Sequence, residues 1–261
     1  SWRWWLILRS YDIHYTFPRA VELYLIGMFA GFFLSNSLGA FVRGFYARED
    51  GYRLGEAMMT VFLDKVLEIA SLLVFGIFGI AVFPSLLPQR RAVWALLLVL
   101  ACGVAVIIWI GRGRLGRWFS QKLDTFLDRY FPHSEGKPFS RLHEGLRSIT
   151  LPSWIKLSVV SLTGRILHYA SVYIIVRALA IPLSFPSVAA IMSLVGIVVA
   201  LPISLAGGLG TRDATLVGIF ALLGQSSESA LSLSLLILVC SMVWIIAGML
   251  LWLRHPLQRS Q

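Results

Sequence analysis

Two arginines, Arg43 and Arg212, each stand four residues after a glycine in an apolar setting. The first lies in Ser37-Leu38-Gly39-Ala40-Phe41-Val42-Arg43 and the second in Ala206-Gly207-Gly208-Leu209-Gly210-Thr211-Arg212-Asp213. A glycine turn that opens a helix frees backbone N–H groups, and these can cradle an anion. A guanidinium beside them adds a planar fork matched to phosphate. In hydrocarbon a broken helix and an arginine are both costly, so both are usually placed where they bind something. Two such breaks in one chain point to a transporter-like site. The expected phosphate-binding group is Arg43, Arg212, Gly39, Gly207, Gly208 and Gly210. The competing reading is structural: each arginine snorkels to the interface or pairs with a carboxylate such as Asp213.

Further polar residues interrupt apolar helices. Asp64 and Glu68 are i, i+4, with Lys65 three residues before Glu68, so one helix face carries two acids and a base. Structural ion pairing and a part in lipid or proton coupling are both open for this trio. Arg165 and His168 are i, i+3 within a span, where a histidine could shuttle protons or serve as a hydrogen-bonded interior group. Together with Asn36 and Asp213 these residues form the expected polar pathway. Arg177 and Glu22, near helix ends, are read as interfacial. No His/Cys/Asp cluster has metal spacing, no P-loop or dinucleotide fingerprint is present, and Cys102 and Cys240 both fall in apolar runs. The expectation is a chain with no cofactor, no metal and no catalytic residue: a transporter rather than an enzyme.

The elements that must position these residues are long apolar helices. Of 261 residues 57% are hydrophobic and 14% charged, against about a quarter charged in soluble domains. Mean hydropathy is +0.78. Ala92 to Ile110 and Ala230 to Leu253 are uncharged runs of 19 and 24 residues, each enough to cross a core of ~30 Å. The net charge of +10 fits the positive-inside rule and anionic headgroups without invoking nucleic acid. The fold class is therefore an all-α polytopic membrane protein.

Along the chain, residues 1–19 mix tryptophan, tyrosine and arginine and read as interfacial. An apolar helix over 21–36 is short for a span, ends in a turn at 35–39, and returns over 40–46. A long helix covers 56–83, a span 92–110, and a basic region 111–153 with an amphipathic surface helix. Spans at 154–179 and 230–253 flank an apolar run over 188–205 and a short helix over 212–223. The 111–153 loop holds eight Lys/Arg against four Asp/Glu, which puts it and the C-terminal tail in the cytoplasm. Arg90 and Arg91 conflict with an external 84–91 loop. The remaining topology closes if 21–46 and 188–223 are re-entrant hairpins entering from opposite sides, as pseudo-symmetric inverted repeats.

These residues resemble the lysylphosphatidylglycerol synthase transmembrane-region family, also described as flippase-like domain proteins. The resemblance covers essentially the whole chain, 1–261, as a single flippase-like domain. It rests on Trp2-Arg3-Trp4, on Asn36, Gly39 and Arg43, on Asp64-Lys65 and Glu68, and on Pro202 followed by Gly207-Gly208-Leu209-Gly210-Thr211-Arg212-Asp213. The last is the most specific. Where the family has acid–Arg–x–x–Asp this chain has Asp64-Lys65 and Glu68, and Ser37-Leu38-Gly39 lacks the family's proline. Family members begin with further hydrophobic helices, so residues preceding Ser1 are expected. The resemblance implies a lipid translocase of the bacterial inner membrane, without the aminoacyl-transferring domain. Its cargo would be a phospholipid or a lipid-linked intermediate such as a polyprenyl-phosphate sugar or a hopanoid-type lipid. The alternative is a membrane subunit that docks a glycosyltransferase or lipid synthase through 111–153. A second copy of the chain, as a homodimer, is a further partner to test.

Overall fold

The computed structural model describes residues 1–34, 36–82, 98, 151–200 and 208–255. Among them are eight helices and no strand: α1 (Trp2–Ser10), α2 (Phe17–Phe33), α3 (Asn36–Glu49), α4 (Leu54–Val82), α5 (Leu151–Ala178), α6 (Phe185–Ala200), α7 (Thr211–Leu222) and α8 (Ser227–Arg254). The expected span over 92–110 and the amphipathic helix within 111–153 lie outside the described residues, as do Pro202 and Gly207.

Local chemistry explains several ends. Pro18 sits in the first turn of α2, where its fixed φ suits a helix start and no N–H is needed. Ser226 caps α8, its Oγ accepting the Ser229 N–H at 3.2 Å. Gly210 precedes α7 with φ 80°, a left-handed conformation open to glycine.

Two expectations shift. The segment 1–19 contains a true helix, α1, whose residues Trp4, Ile7 and Leu8 are buried. The second is at the first turn: α3 starts at Asn36 and runs to Glu49, so Gly39 lies inside a helix instead of in a turn. Its role is close approach. A Cβ on Gly39 would overlap the backbone of Gly31, so the two glycines let α2 and α3 pack backbone to backbone.

The packing forms two apolar clusters. One joins α1, α2, α3 and the first half of α4 around Trp4, Leu8, Leu23, Ile26 and Val61. The other joins α5, α6, α7 and α8 around Tyr169, Val188, Leu216, Phe220 and Leu233. Helix α4 touches α1, α3, α5 and α6 and so runs between them. Helix α8 is gripped at both ends. Near its C-terminus Gly248 abuts Leu25 of α2, Trp252 stacks near Phe29, and Tyr46 of α3 donates to the His255 carbonyl at 2.7 Å. Near its N-terminus Ser234 meets Arg212 of α7.

Helices α5 and α8 are long and apolar enough to cross a membrane. Their outward residues are large and hydrophobic: Ile155, Val159, Leu167 and Ile174 on α5, and Leu235, Val239, Val243 and Leu250 on α8. Apolar residues outside and charged residues inside is the arrangement lipid demands.

Candidate functional site

Two arginines of the first half converge on Asp64. Its carboxylate is buried at 1% exposure on α4 and accepts from two arginines: Arg3 Nε at 2.6 Å and Arg43 Nη2 at 3.2 Å. Arg3 comes from α1 and Arg43 from α3, so one carboxylate ties three helices together. Arg43 reaches it through a slot that Gly27 of α2 leaves open; a Cβ there would lie 3.0 Å from the Arg43 Cγ. The guanidinium is then held between rings, 4.7 Å from the Trp4 centroid and 4.4 Å from that of Tyr24. A desolvated cation–π contact of this kind contributes about 2 kcal/mol or more. Trp4 itself donates its ring N–H to Thr60 at 3.1 Å, which fixes α1 on α4. Arg43 Nη1 is buried with no hydrogen-bond partner among the described residues.

One turn further along α4, Lys65 Nζ pairs with Glu68 at 2.9 Å, both partly exposed. Facing them from α5, Arg165 Nη2 donates to Ser71 Oγ at 3.3 Å and to the Glu68 carbonyl at 3.5 Å. Two cavities meet at this point. One, of about 500 Å³, is lined by Arg3, Tyr24, Glu68, Gly164 and Arg165 together with apolar α5 residues. The other, of about 440 Å³, is lined by Phe41, Lys65, Glu68, Arg165, His168 and Val199. Glu68 and Arg165 belong to both walls.

Arg212 and Asp213 form a separate group. Arg212 Nε donates to Ser234 Oγ at 2.8 Å, and Ser234 in turn donates to Asp213 in a short hydrogen bond. Asp213 also accepts the Gly210 N–H at 3.1 Å, so a carboxylate of the chain itself takes a backbone donor at this helix start. Arg212 Nη2 lies 3.5 Å from Asp213 but makes no hydrogen bond among the described residues. Gly208, with φ 87°, packs against Val199, a residue of the second cavity wall. The second glycine turn therefore adjoins that cavity.

The structure thus brings together Arg43 and Asp64, and around the cavities Lys65, Glu68, Arg165 and His168. It holds Arg212, Asp213 and Gly210 as a separate group at the start of α7, with Gly208 packed against Val199 of the second cavity wall. Gly39 serves helix packing. Asn36 opens α3. Both arginines of the glycine segments carry internal carboxylate partners, as the structural reading allowed. Arg3, Trp4, Tyr24 and Ser234 were not expected at the site. A signal existed for the first two: Trp4, Ile7, Leu8 and Tyr11 follow helical core spacing, which leaves Arg3 on the edge of a buried stripe.

A charged centre enclosed by helices whose outer faces are apolar defines an α-helical membrane protein. The profile described as lysylphosphatidylglycerol synthase TM region matches residues 1–248, and the chain belongs to that family. No curated protein and no solved structure matches the chain. The family places it among membrane proteins of lipid-related function.

Proposed function

We propose that the chain is a translocase for a phosphate-bearing lipid, either a phospholipid or a polyprenyl or other isoprenoid-type lipid. It would act in the bacterial cytoplasmic membrane with its C-terminus in the cytoplasm. One observation carries the reading: two cavities, each with a charged wall and an apolar wall, share Glu68 and Arg165. A headgroup crossing the bilayer needs polar partners along its route while its chains stay in lipid, and adjoining cavities of this kind supply them. The attachment of α2 and α7 to opposite ends of α8 supports two hairpins inserted from opposite sides, the inverted plan of many transporters.

Gly164 provides the test. It lines the larger cavity, and a Cβ placed on it meets nothing within 4 Å. Purified protein is reconstituted into vesicles containing phosphatidylglycerol with a fluorescent acyl chain, and dithionite bleaching reports movement between leaflets. Wild type and Gly164→Ala are expected to move the lipid faster than protein-free vesicles. Gly164→Trp fills the cavity and is expected to slow movement toward the protein-free rate. Wild type no faster than empty vesicles, or a Trp variant as fast as wild type, refutes the proposal.

A further inference from the structure

The charges of the centre do not cancel. Arg3, Arg43, Lys65 and Arg165 stand against Asp64 and Glu68, which leaves two positive charges in excess. The excess is not spread evenly. Asp64 is taken by Arg3 and Arg43, and Glu68 by Lys65. Arg165 touches only a hydroxyl and a backbone carbonyl; among the described residues no carboxylate lies within ion-pair distance of it. It stands fourteen residues from the start of α5, about 21 Å along a helix some 42 Å long, and so near mid-depth. A guanidinium held there without a counter-charge is costly unless an anion joins it.

From these observations we infer that Arg165 is the phosphate-binding residue of the chain, and that a headgroup passes over it from one cavity to the other. The inference rests on the proposed function and names the residue that selects the cargo. Arg43 is closed in by Trp4, Tyr24 and Asp64, and Arg212 is engaged by Ser234 and Asp213, so neither has the same freedom. The Arg165 guanidinium faces both cavities. Ser71 steadies one of its nitrogens, and the planar fork leaves further donors for phosphate oxygens. In the second cavity Lys65 and His168 flank it and complete a basic pocket. Glu68, already bonded to Lys65, sits where it can release that lysine to an arriving phosphate.

The test is a binding measurement, independent of transport. Detergent-purified wild type, Arg165→Gln and Arg165→Lys are titrated with short-chain phosphatidylglycerol, with a phosphate-free glucosyl diacylglycerol of the same chains, and with inorganic phosphate. Thermal unfolding of each variant monitors the fold; Arg165→Gln breaks no ion pair and is expected to unfold with wild type. Wild type is expected to bind phosphatidylglycerol, and Arg165→Gln to bind it at least about ten-fold more weakly, the equivalent of one charge-assisted hydrogen bond. Arg165→Lys is expected to recover part of the loss. Binding of the phosphate-free lipid is expected to be the same in all three proteins. Competition by inorganic phosphate shows recognition of the phosphate group itself. Inorganic phosphate binding to a wild type that does not bind phosphatidylglycerol overturns the hand-over role. Equal phosphatidylglycerol binding in wild type and a folded Arg165→Gln, or an equal loss for both lipids, overturns the assignment. Intact binding with no vesicle transport would refute the translocase reading alone.

Discussion

Replacing Asp64 by asparagine keeps its volume and removes the charge that Arg3 and Arg43 share. Arg43 would stay in place, since Trp4, Tyr24 and the Gly27 slot hold it from other directions. The result is one buried and one part-buried cation, Arg43 and Arg3, without their counter-charge. Breaking a buried ion pair in this way costs about 3–5 kcal/mol, a large part of the ~5–15 kcal/mol that separates folded from unfolded chains. At roughly 3 °C per kcal/mol for a chain of this size, the midpoint should fall by about 10 °C. Glu68→Gln is the internal comparison. Its partner Lys65 is three residues away and both are partly exposed, so the loss should stay below about 1 kcal/mol. A triple replacement, Arg3→Met, Arg43→Met and Asp64→Leu, removes all three charges together and should recover much of the stability. Thermal unfolding in mild detergent, followed by tryptophan fluorescence, measures all of these. Asp64→Asn within about 1 kcal/mol of wild type would mean that the carboxylate does not hold the two arginines, and the reasoning would fail.

Two further predictions follow from close contacts. Gly39→Ala places a methyl group against the Gly31 backbone and forces α2 and α3 apart, at about 1–3 kcal/mol; Gly44→Ala meets only the flexible Met58 side chain and should cost less, and a reversed order in unfolding midpoints would count against backbone contact. Ser234→Ala removes the hydroxyl that accepts from Arg212 and donates to Asp213, at about 1–3 kcal/mol. An unchanged midpoint for that variant would show that the α7–α8 link is not held by this hydrogen bond.

Helices α4, α5 and α8 were legible in the sequence because their apolar runs are long and end in recognisable caps and breaks. The spacing of Asp64, Lys65 and Glu68 placed them on one helix, and the structure confirms the Lys65–Glu68 pair. The partner of Asp64 was not legible. Arg43 and Arg3 lie 21 and 61 residues away, and no local rule links residues that far apart. Tryptophan and arginine mixed over 1–19 fit an interfacial belt as well as a packed helix, so the helix α1 was not foreseen. Gly39 was misread for a related reason: glycine serves both turns and tight helix crossings, and only the neighbouring helix with Gly31 decides between them. Arg165 was visible as an arginine within a span. That it alone lacks a carboxylate partner among the arginines of this centre emerged only when the helices were assembled.

Helix α8 acts as a ruler. Ser234, which meets α7, and Gly248, which meets α2, are fourteen residues apart, about 21 Å or 3.9 turns. They therefore project from nearly the same side of the helix, with Ala230, Leu233 and Ile237 along one stripe. Inserting a single residue between Ser234 and Gly248 would turn the docking point of α2 or of α7 by about 100° around α8 while the other kept its place. Length and phase in this stretch are consequently as constrained as the side chains themselves, whereas Leu235, Val239 and Val243 on the outer side can exchange with any apolar residue.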